Sequence, residues 1–489
     1  MNEDNVKRPS IGMALLPIVT AIAIFVVGIG ILEYPAELML LFAGVVFAIF
    51  AMVNGNSWDS IILLMGDKIK RALPAILILF SIGLLIGTWF IAGTIPFFIY
   101  YGLEIINPNY LYVLAFLVTA IVSTCVGTSW GSAGTIGVAL MSIAQTMDIS
   151  MAVTAGAVVS GAYFGDKLSP LSDTTNMSSL AAGANIYEHI KHMLYTAVPS
   201  SIVAIIVFFF VGLNIETNTT QLESIQVMIQ SIDELFELNI LLLIPAVIVI
   251  AGSIMKKSPL IVLFASSLTA MILALLIQNV SFGNVFASAV SGFNMDMIAE
   301  TLPNLNEGVI TEEIESLISG GGLYSMYNAT FFVFVAFFFA SALEKSQTLN
   351  VILERVIVYL KTIGSLTFAS LLTGFAVING TSNALVTYFL IQDIYGEAYK
   401  EKNLHPSNLS RNMEDSVTIT EALMPWTVSG VFMATTLGVG NFEFLPWAIF
   451  NLGGFVFSAL YGFLAPYTNG FGIRKLNPEH KDYSDSKIS

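Results

Sequence analysis

Long apolar runs, separated by short polar or proline-containing breaks, dominate the pattern along this chain. The first, Ile11–Leu32, follows a polar Met1–Ser10 and is too long for the core of a signal peptide, so it reads as a spanning helix. Further runs cover Ala36–Val53, Leu73–Tyr100, Tyr110–Met147, Met151–Gly165 and Met193–Leu213. After a polar gap they resume at Asn239–Met255, Leu260–Ile277, Tyr324–Leu343, Thr362–Ile391, Met424–Leu437 and Phe444–Ala465. At about 20 residues per crossing, these runs predict an all-α polytopic membrane protein with about 10–14 membrane segments. Composition agrees: of 489 residues, 56% are apolar and 11% charged, where a soluble domain averages about 25% charged.

The placement of charge orients the runs, because basic residues favour the cytoplasmic side. Lys7 and Arg8 place the amino terminus in the cytoplasm, and Lys68, Lys70 and Arg71 are expected in an inside loop after two crossings. Asn214–Asn239 carries five acids and Ser281–Leu323 six, neither with a base, so both read as extracellular. This arrangement puts 18 of the 19 basic residues inside, Lys167 being the exception, and leaves both termini cytoplasmic in a plasma-membrane protein. The net charge of −15 is no nucleic-acid footprint, and the single cysteine, Cys125, excludes a disulfide framework or a Cys-based metal centre.

The two halves of the chain echo one another. Leu16-Pro17 and Ile244-Pro245 each open an apolar run, and Gly127-Thr128-Ser129 is answered by Gly380-Thr381-Ser382-Asn383 at an offset of 253. Asp166 and Asp173 stand seven apart, as do Glu414 and Glu421, at an offset of 248. By the charge argument the halves run in opposite directions, the pattern of an inverted-repeat secondary transporter. The expected divisions are a cytoplasmic tail (1–10), a first repeat (11–213), an acidic extracellular linker (214–238), a second repeat (239–466) and a cytoplasmic tail (467–489).

The breaks carry the candidate chemistry. Tyr110–Met147 is too long for one crossing, and its middle, GTSWGSAGT (Gly127–Thr135), is where glycines open a helix. A hairpin with a polar tip at Thr128 and Ser129 is expected, facing protein or a watery cavity. Thr362–Ile391 repeats the pattern, with Asn379, Thr381, Ser382 and Asn383 at its tip. Hydroxyl, amide and freed carbonyl oxygens suit Na⁺ rather than a soft metal. In GAYFGDKLSPLSDTTN (Gly161–Asn176), Asp166, Lys167 and Asp173 interrupt a membrane run at Pro170. One charge at mid-bilayer costs about 2.5–3.5 kcal/mol, which a bound cation or a proton offsets. Burial favours a neutral carboxyl and bound Na⁺ an ionised one, so Asp173 and Asp166 are expected to alternate between H⁺ and Na⁺. In the second half, Glu421 is the counterpart; Glu414 and Asp415 belong either with it or with the solvated loop beginning near Lys400. His189 and His192 read as solvated interface residues.

GTSWGSAG (Gly127–Gly134) and SGAYFGDKLSPLSDTT (Ser160–Thr175) resemble the NhaC-type Na⁺/H⁺ antiporter family, within the wider ion-transporter superfamily. The resemblance runs across nearly the whole chain. It implies inverted repeats, paired hairpins, a homodimer in the lipid bilayer and elevator-like movement. It also adds Ser169 and Thr174 to Thr128, Ser129, Asp166 and Asp173 as residues of a combined Na⁺ and H⁺ site. No cofactor and no transition-metal site are expected. Some members of the family couple the exchange to malate, lactate or amino acids; such a substrate's carboxylate wants arginine, lysine or helix amino termini. The expected core holds no arginine and only Lys167, which favours a bare cation. An enzyme is the more distant reading. Gly127-Thr-Ser129-Trp-Gly131 fits G-x-S-x-G, but an apolar helix rather than a strand precedes it and no His is at hand.

Overall fold

The computed structural model describes residues 8–32, 34–215, 219–255, 257–301, 315, 319–349, 351 and 361–476. Lys7, Lys256, Glu216, the 302–314 part of the second acidic stretch and the end of the carboxyl-terminal tail lie outside the described residues. Among the described residues the regular structure is helical throughout, with no strand. Among the described residues six helices are long and apolar enough to cross a membrane alone, and three bent pairs raise the number to nine. Three shorter apolar helices, among them Glu37–Val53 and Ile449–Leu464, lie beside them. The protein is a multi-pass membrane protein.

The helices of the first half are α1 (Ile11–Ala23), α2 (Ala36–Val53), α3 (Trp58–Ala92), α4 (Thr94–Ile105), α5 (Leu111–Val126), α6 (Ser129–Ser132) and α7 (Val138–Thr146). They continue with α8 (Met151–Leu168), α9 (Asp173–Ala182) and α10 (Ile186–Leu213). Ser57 starts α3 by accepting the Ser60 amide at 3.2 Å, and Gly93, at φ +86°, ends it. There the chain bends by 69° into α4. Lys68, Lys70 and Arg71, expected in a loop, fall inside α3 instead. The charged Asp67–Arg71 cluster lies inside the same continuous helix as the apolar run that follows it, a continuity that hydropathy alone does not detect.

After α10, the stretch expected as an acidic linker forms helix α11 (Thr219–Leu235), whose Met228, Ile232 and Leu235 are buried. Then come α12 (Ile244–Ile254), α13 (Pro259–Leu276), α14 (Phe282–Ser291), α15 (Tyr327–Lys345), α16 (Ile363–Thr381) and α17 (Ala384–Glu401). The last are α18 (Pro406–Met413), α19 (Ile419–Glu421), α20 (Val428–Leu437), α21 (Asn441–Phe444) and α22 (Ile449–Leu464). Contacts cross between the halves reciprocally: α13 packs on α3, and α15 packs on α2.

The pair that positions the site is α5 against α8, one of the closest associations in the fold. Gly165 allows it, since a Cβ there would run into Ser123 and the Thr124 backbone. Ser123 Oγ donates to the Ala162 carbonyl at 2.5 Å, locking the two helices in register. Asp166, at the end of α8, is thereby set against the break that follows α5.

Candidate functional site

Both polar tips are breaks between helices. α5 stops at Gly127, φ +73°, and Thr128 is extended before α6 begins at Ser129. A Cβ on Gly127 would lie 2.6 Å from Leu171 Cβ, so this tip is pressed against the break that follows α8. α16 stops at Thr381, Ser382 adopts a left-handed turn at φ +49°, and Asn383 caps α17 by accepting the Val386 amide at 3.0 Å. α16 and α17 then pack against each other as a hairpin.

The third break separates α8 from α9. Leu168 ends α8 before Ser169-Pro170, and Ser172 restarts the helix. Across it lies Asp166, 5% exposed. Ser129 Oγ donates to its Oδ2 at 2.8 Å and Ser172 Oγ to its Oδ1 at 2.6 Å. Ser172 Oγ also lies 2.9 Å from Thr174 Oγ1. One buried carboxylate is thus held on both oxygens by hydroxyls from two separate breaks.

These groups face a cavity of about 750 Å³. It gathers Thr128, Ser129, Asp166, Asp173 and Thr174 from the first half with Thr381, Ser382, Asn383 and Glu421 from the second. Its charged lining is Asp166, Asp173 and Glu421 against Lys68 and Lys257. Lys68 is already paired with Glu344 at 2.7 Å and approaches the Thr381 carbonyl at 3.4 Å. Asp173, the first residue of α9, is exposed to the cavity rather than buried. Ser382 Oγ accepts the Val428 amide at 2.9 Å, and Trp130 stacks on Phe432 at 4.3 Å, so both tips are tied to α20.

Two expected residues are not part of this gathering. Ser169 is fully buried in the break, its Oγ accepting the Leu171 amide at 3.3 Å. Asn379 accepts from Trp426 Nε1 at 2.9 Å and donates to the Phe375 carbonyl at 2.7 Å, so its side chain is occupied within the packing. Among the described residues no cluster of three or more His, Cys, Asp or Glu is placed to hold a metal ion.

Sequence reasoning missed several buried groups. Ser172 is in the quoted motif but was not singled out; its place as the cap before Asp173 was the available clue. Glu414 and Asp415 are fully buried, which removes the solvated-loop alternative. His189 and His192 are 0% and 4% exposed, because α10 starts seven residues before the apolar run and carries both inside. Arg411 is likewise fully buried, with Nη1 3.1 Å from His192 Nε2, so the core does contain an arginine. The offset of 248 would have found it, since it sets Arg411 against Tyr163, a buried residue of α8. Lys167 forms an ion pair with Asp415, both fully buried.

In a multi-pass membrane protein, broken helices with polar tips and acids converging on one cavity define an ion-coupled secondary transporter. Residues 161–465 match the Na⁺/H⁺ antiporter family. The chain is 43% identical to an uncharacterized Na⁺/H⁺ antiporter of Haemophilus influenzae over 471 residues, 96% of this chain and 98% of the other. It is 32% identical to the Na⁺/H⁺ antiporter NhaC of Alkalihalophilus pseudofirmus over 96% of this chain and 98% of the relative. To the malate-2H⁺/Na⁺-lactate antiporter of Bacillus subtilis it is 31% identical, over 89% and 91%. The chain belongs to the NhaC-type Na⁺/H⁺ antiporter family, as its motifs led one to expect.

Proposed function

We propose that this protein exchanges Na⁺ for H⁺ across the plasma membrane, with Asp166 as the group for which the two ions compete. The observation that carries the reading is the pair of hydroxyl bonds to Asp166 from Ser129 and Ser172. A serine hydroxyl that donates to a carboxylate can rotate and present its lone pairs to a cation. Asp166, Ser129 and Ser172 then supply hard oxygen ligands to Na⁺. When Asp166 takes a proton, the electrostatic hold on Na⁺ is lost and the ion leaves. Asp173, exposed in the cavity, draws cations toward the tips, and Glu421 with Thr381, Ser382 and Asn383 completes the polar lining. No cofactor enters this cycle.

The remaining parts follow from the same reading. The reciprocal packing of α3 with α13 and α2 with α15 supports two inverted repeats, 11–213 and 239–466. Lys68 and Lys257 at the cavity support a cytoplasmic opening, with both termini on that side. Movement of the broken helices against α2, α3, α13 and α15, within a homodimer, would carry the site across. The decisive experiment uses proteoliposomes containing a pH-sensitive dye and a Na⁺ step. Proton flux driven by Na⁺ alone, and absent in Asp166→Asn, is expected. Equal flux in Asp166→Asn removes that residue from the mechanism.

A second reading has one observation in its favour: a cavity of about 750 Å³ is larger than a bare cation needs and falls in the range that holds small organic ligands. A Na⁺- and H⁺-coupled exchanger of organic anions would show flux only when malate, lactate or an amino acid is added.

A further inference from the structure

Glu414 stands in the second half at the position matching Asp166 under the offset of 248. It is fully buried and does not line the cavity, so the cycle described above leaves it unused. Its Oε1 accepts from Ser178 Oγ at 2.7 Å, while Oε2 has no hydrogen-bond partner among the described residues. The described ion pairs do not include it: Lys167, the nearby base, is paired with Asp415. An ionised carboxylate buried with so few partners is costly.

A line of hydrogen bonds leads away from it. Ser178 Oγ lies 3.2 Å from His189 Nε2, and His189 Nδ1 lies 2.7 Å from Ser410 Oγ. The proton positions on this line follow from counting. Ser178 has one hydroxyl proton and gives it to Glu414, so toward His189 it can only accept. His189 Nε2 therefore carries the ring proton, and Nδ1 accepts from Ser410. Every donor points toward Glu414. Ser410 belongs to α18, and on the same helix Ser407 Oγ lies 2.8 Å from His405 Nδ1. His405 Nε2 in turn is 3.4 Å from Glu188 Oε2, whose side chain is 42% exposed.

The geometry points to Glu414 as a second proton-binding site of the transporter, loaded through Ser410, His189 and Ser178 and separate from the Na⁺ site at Asp166. The inference rests on the exchange reading above and deepens it. A proton delivered to the buried Ser410 Oγ releases that hydroxyl's own proton to His189 Nδ1. His189 passes its Nε2 proton to Ser178 Oγ, and Ser178 passes its hydroxyl proton to Glu414 Oε1. One proton has entered, Glu414 has become neutral, and His189 has changed tautomer without gaining charge. The ring never needs to become a cation beside Lys167, which a buried imidazolium there would have to face. The other titratable groups facing Glu414 are Asp166, Lys167 and Tyr388, the last with its hydroxyl 2.5 Å from Thr418 Oγ1.

The test follows Na⁺ and H⁺ together in proteoliposomes containing the full chain. Wild type is expected to move more than one proton per Na⁺. Glu414→Gln should lose one proton from that ratio, with half-saturation by Na⁺ unchanged within about twofold. Ser178→Ala should keep the ratio but slow turnover where proton loading limits it, and Ser178→Thr should restore the rate. A wild-type ratio of one, a Glu414→Gln ratio equal to wild type, or Ser178→Ala at full speed at every pH overturns the inference. Should Glu414→Gln not fold, the Ser178 pair still decides. Infrared titration of the protonated-carboxyl stretch reads Glu414 directly, as a band lost in Glu414→Gln. If wild type shows no Na⁺-driven proton flux, the exchange reading fails, while that band still decides whether Glu414 takes a proton.

Discussion

The Lys167–Asp415 pair offers a prediction whose size and order the structure sets. Both side chains are fully buried. Lys167 Nζ also donates to Thr196 Oγ1 at 3.2 Å, and Asp415 Oδ2 accepts from Ser458 Oγ at 2.6 Å. Removing one member of such a pair costs about 3–5 kcal/mol, because the other charge is left buried. The two single variants should not cost the same. Lys167→Met leaves Asp415 with Ser458, with Thr196 at 3.4 Å and with Arg411 Nε at 4.0 Å, so its loss should fall near the lower end of that range. Asp415→Leu leaves Lys167 with Thr196 alone among its hydrogen-bond acceptors and places it near an Arg411 that has lost its own counter-charge. Its cost should fall near the upper end, corresponding to roughly a thousandfold or more in the unfolding equilibrium. The double variant removes both charges and should be more stable than Asp415→Leu alone. Equilibrium unfolding in mixed micelles measures all three. Because neither residue lines the cavity, the double variant should also retain Na⁺-driven proton flux. A double variant no more stable than Asp415→Leu, or one that is stable but inert, would refute a purely structural role for the pair.

Replacing Asp173 by Asn should raise the Na⁺ concentration for half-maximal flux while leaving maximal flux largely intact, in contrast to Asp166→Asn; total loss in both would place Asp173 among the direct ligands. Ser129→Ala and Ser172→Ala each remove a hydrogen bond to a charged group, about 1.5–3 kcal/mol, so Na⁺ affinity should fall by roughly tenfold to a hundredfold; unchanged ²²Na⁺ binding in both would dissociate the hydroxyls from the site. Gly127→Val forces a side chain into a left-handed turn and against Leu171. It should abolish transport while circular dichroism still reports the helices, and wild-type flux would show that this tip is not held as described.

Where the chain can be read from its sequence, the reason is that one physical rule acts alone. Hydropathy over about 20 residues finds the crossings, and glycine, proline and acids inside a run find the breaks at Gly127, Pro170 and Ser382. The tips and the acids Asp166 and Glu421 were legible on that basis. Other features depend on what neighbouring helices supply. Hydropathy treats His189, His192 and Arg411 as surface residues, yet each is buried because a polar partner from another helix awaits it: Ser178 and Ser410 for His189, Asn408 and Arg411 for His192. The Lys68–Arg71 cluster failed for a different reason, since a continuous helix can leave its apolar part without any break that the sequence marks. Ser169 and Asn379 have the right chemistry in the right segments but point into local packing, a matter of one turn of register.

The burial of Arg411 also changes the weight of an argument about substrate. Lack of a core arginine had favoured a bare cation, and that premise does not hold. Arg411 nevertheless spends its charge on the protein itself: Nη1 donates to the Gly472 carbonyl and meets His192, and Nε faces Asp415. It does not line the cavity, whose bases are Lys68, already bound to Glu344, and Lys257. An organic carboxylate entering there would face the acids Asp166, Asp173 and Glu421 against Lys257, the cavity base with no ion-pair partner among the described residues. The electrostatic preference for a cation therefore survives, on different grounds from those the sequence supplied. It predicts that Lys257→Gln will leave Na⁺-driven proton flux intact, whereas loss of flux together with loss of malate or lactate dependence would assign that lysine to an anion.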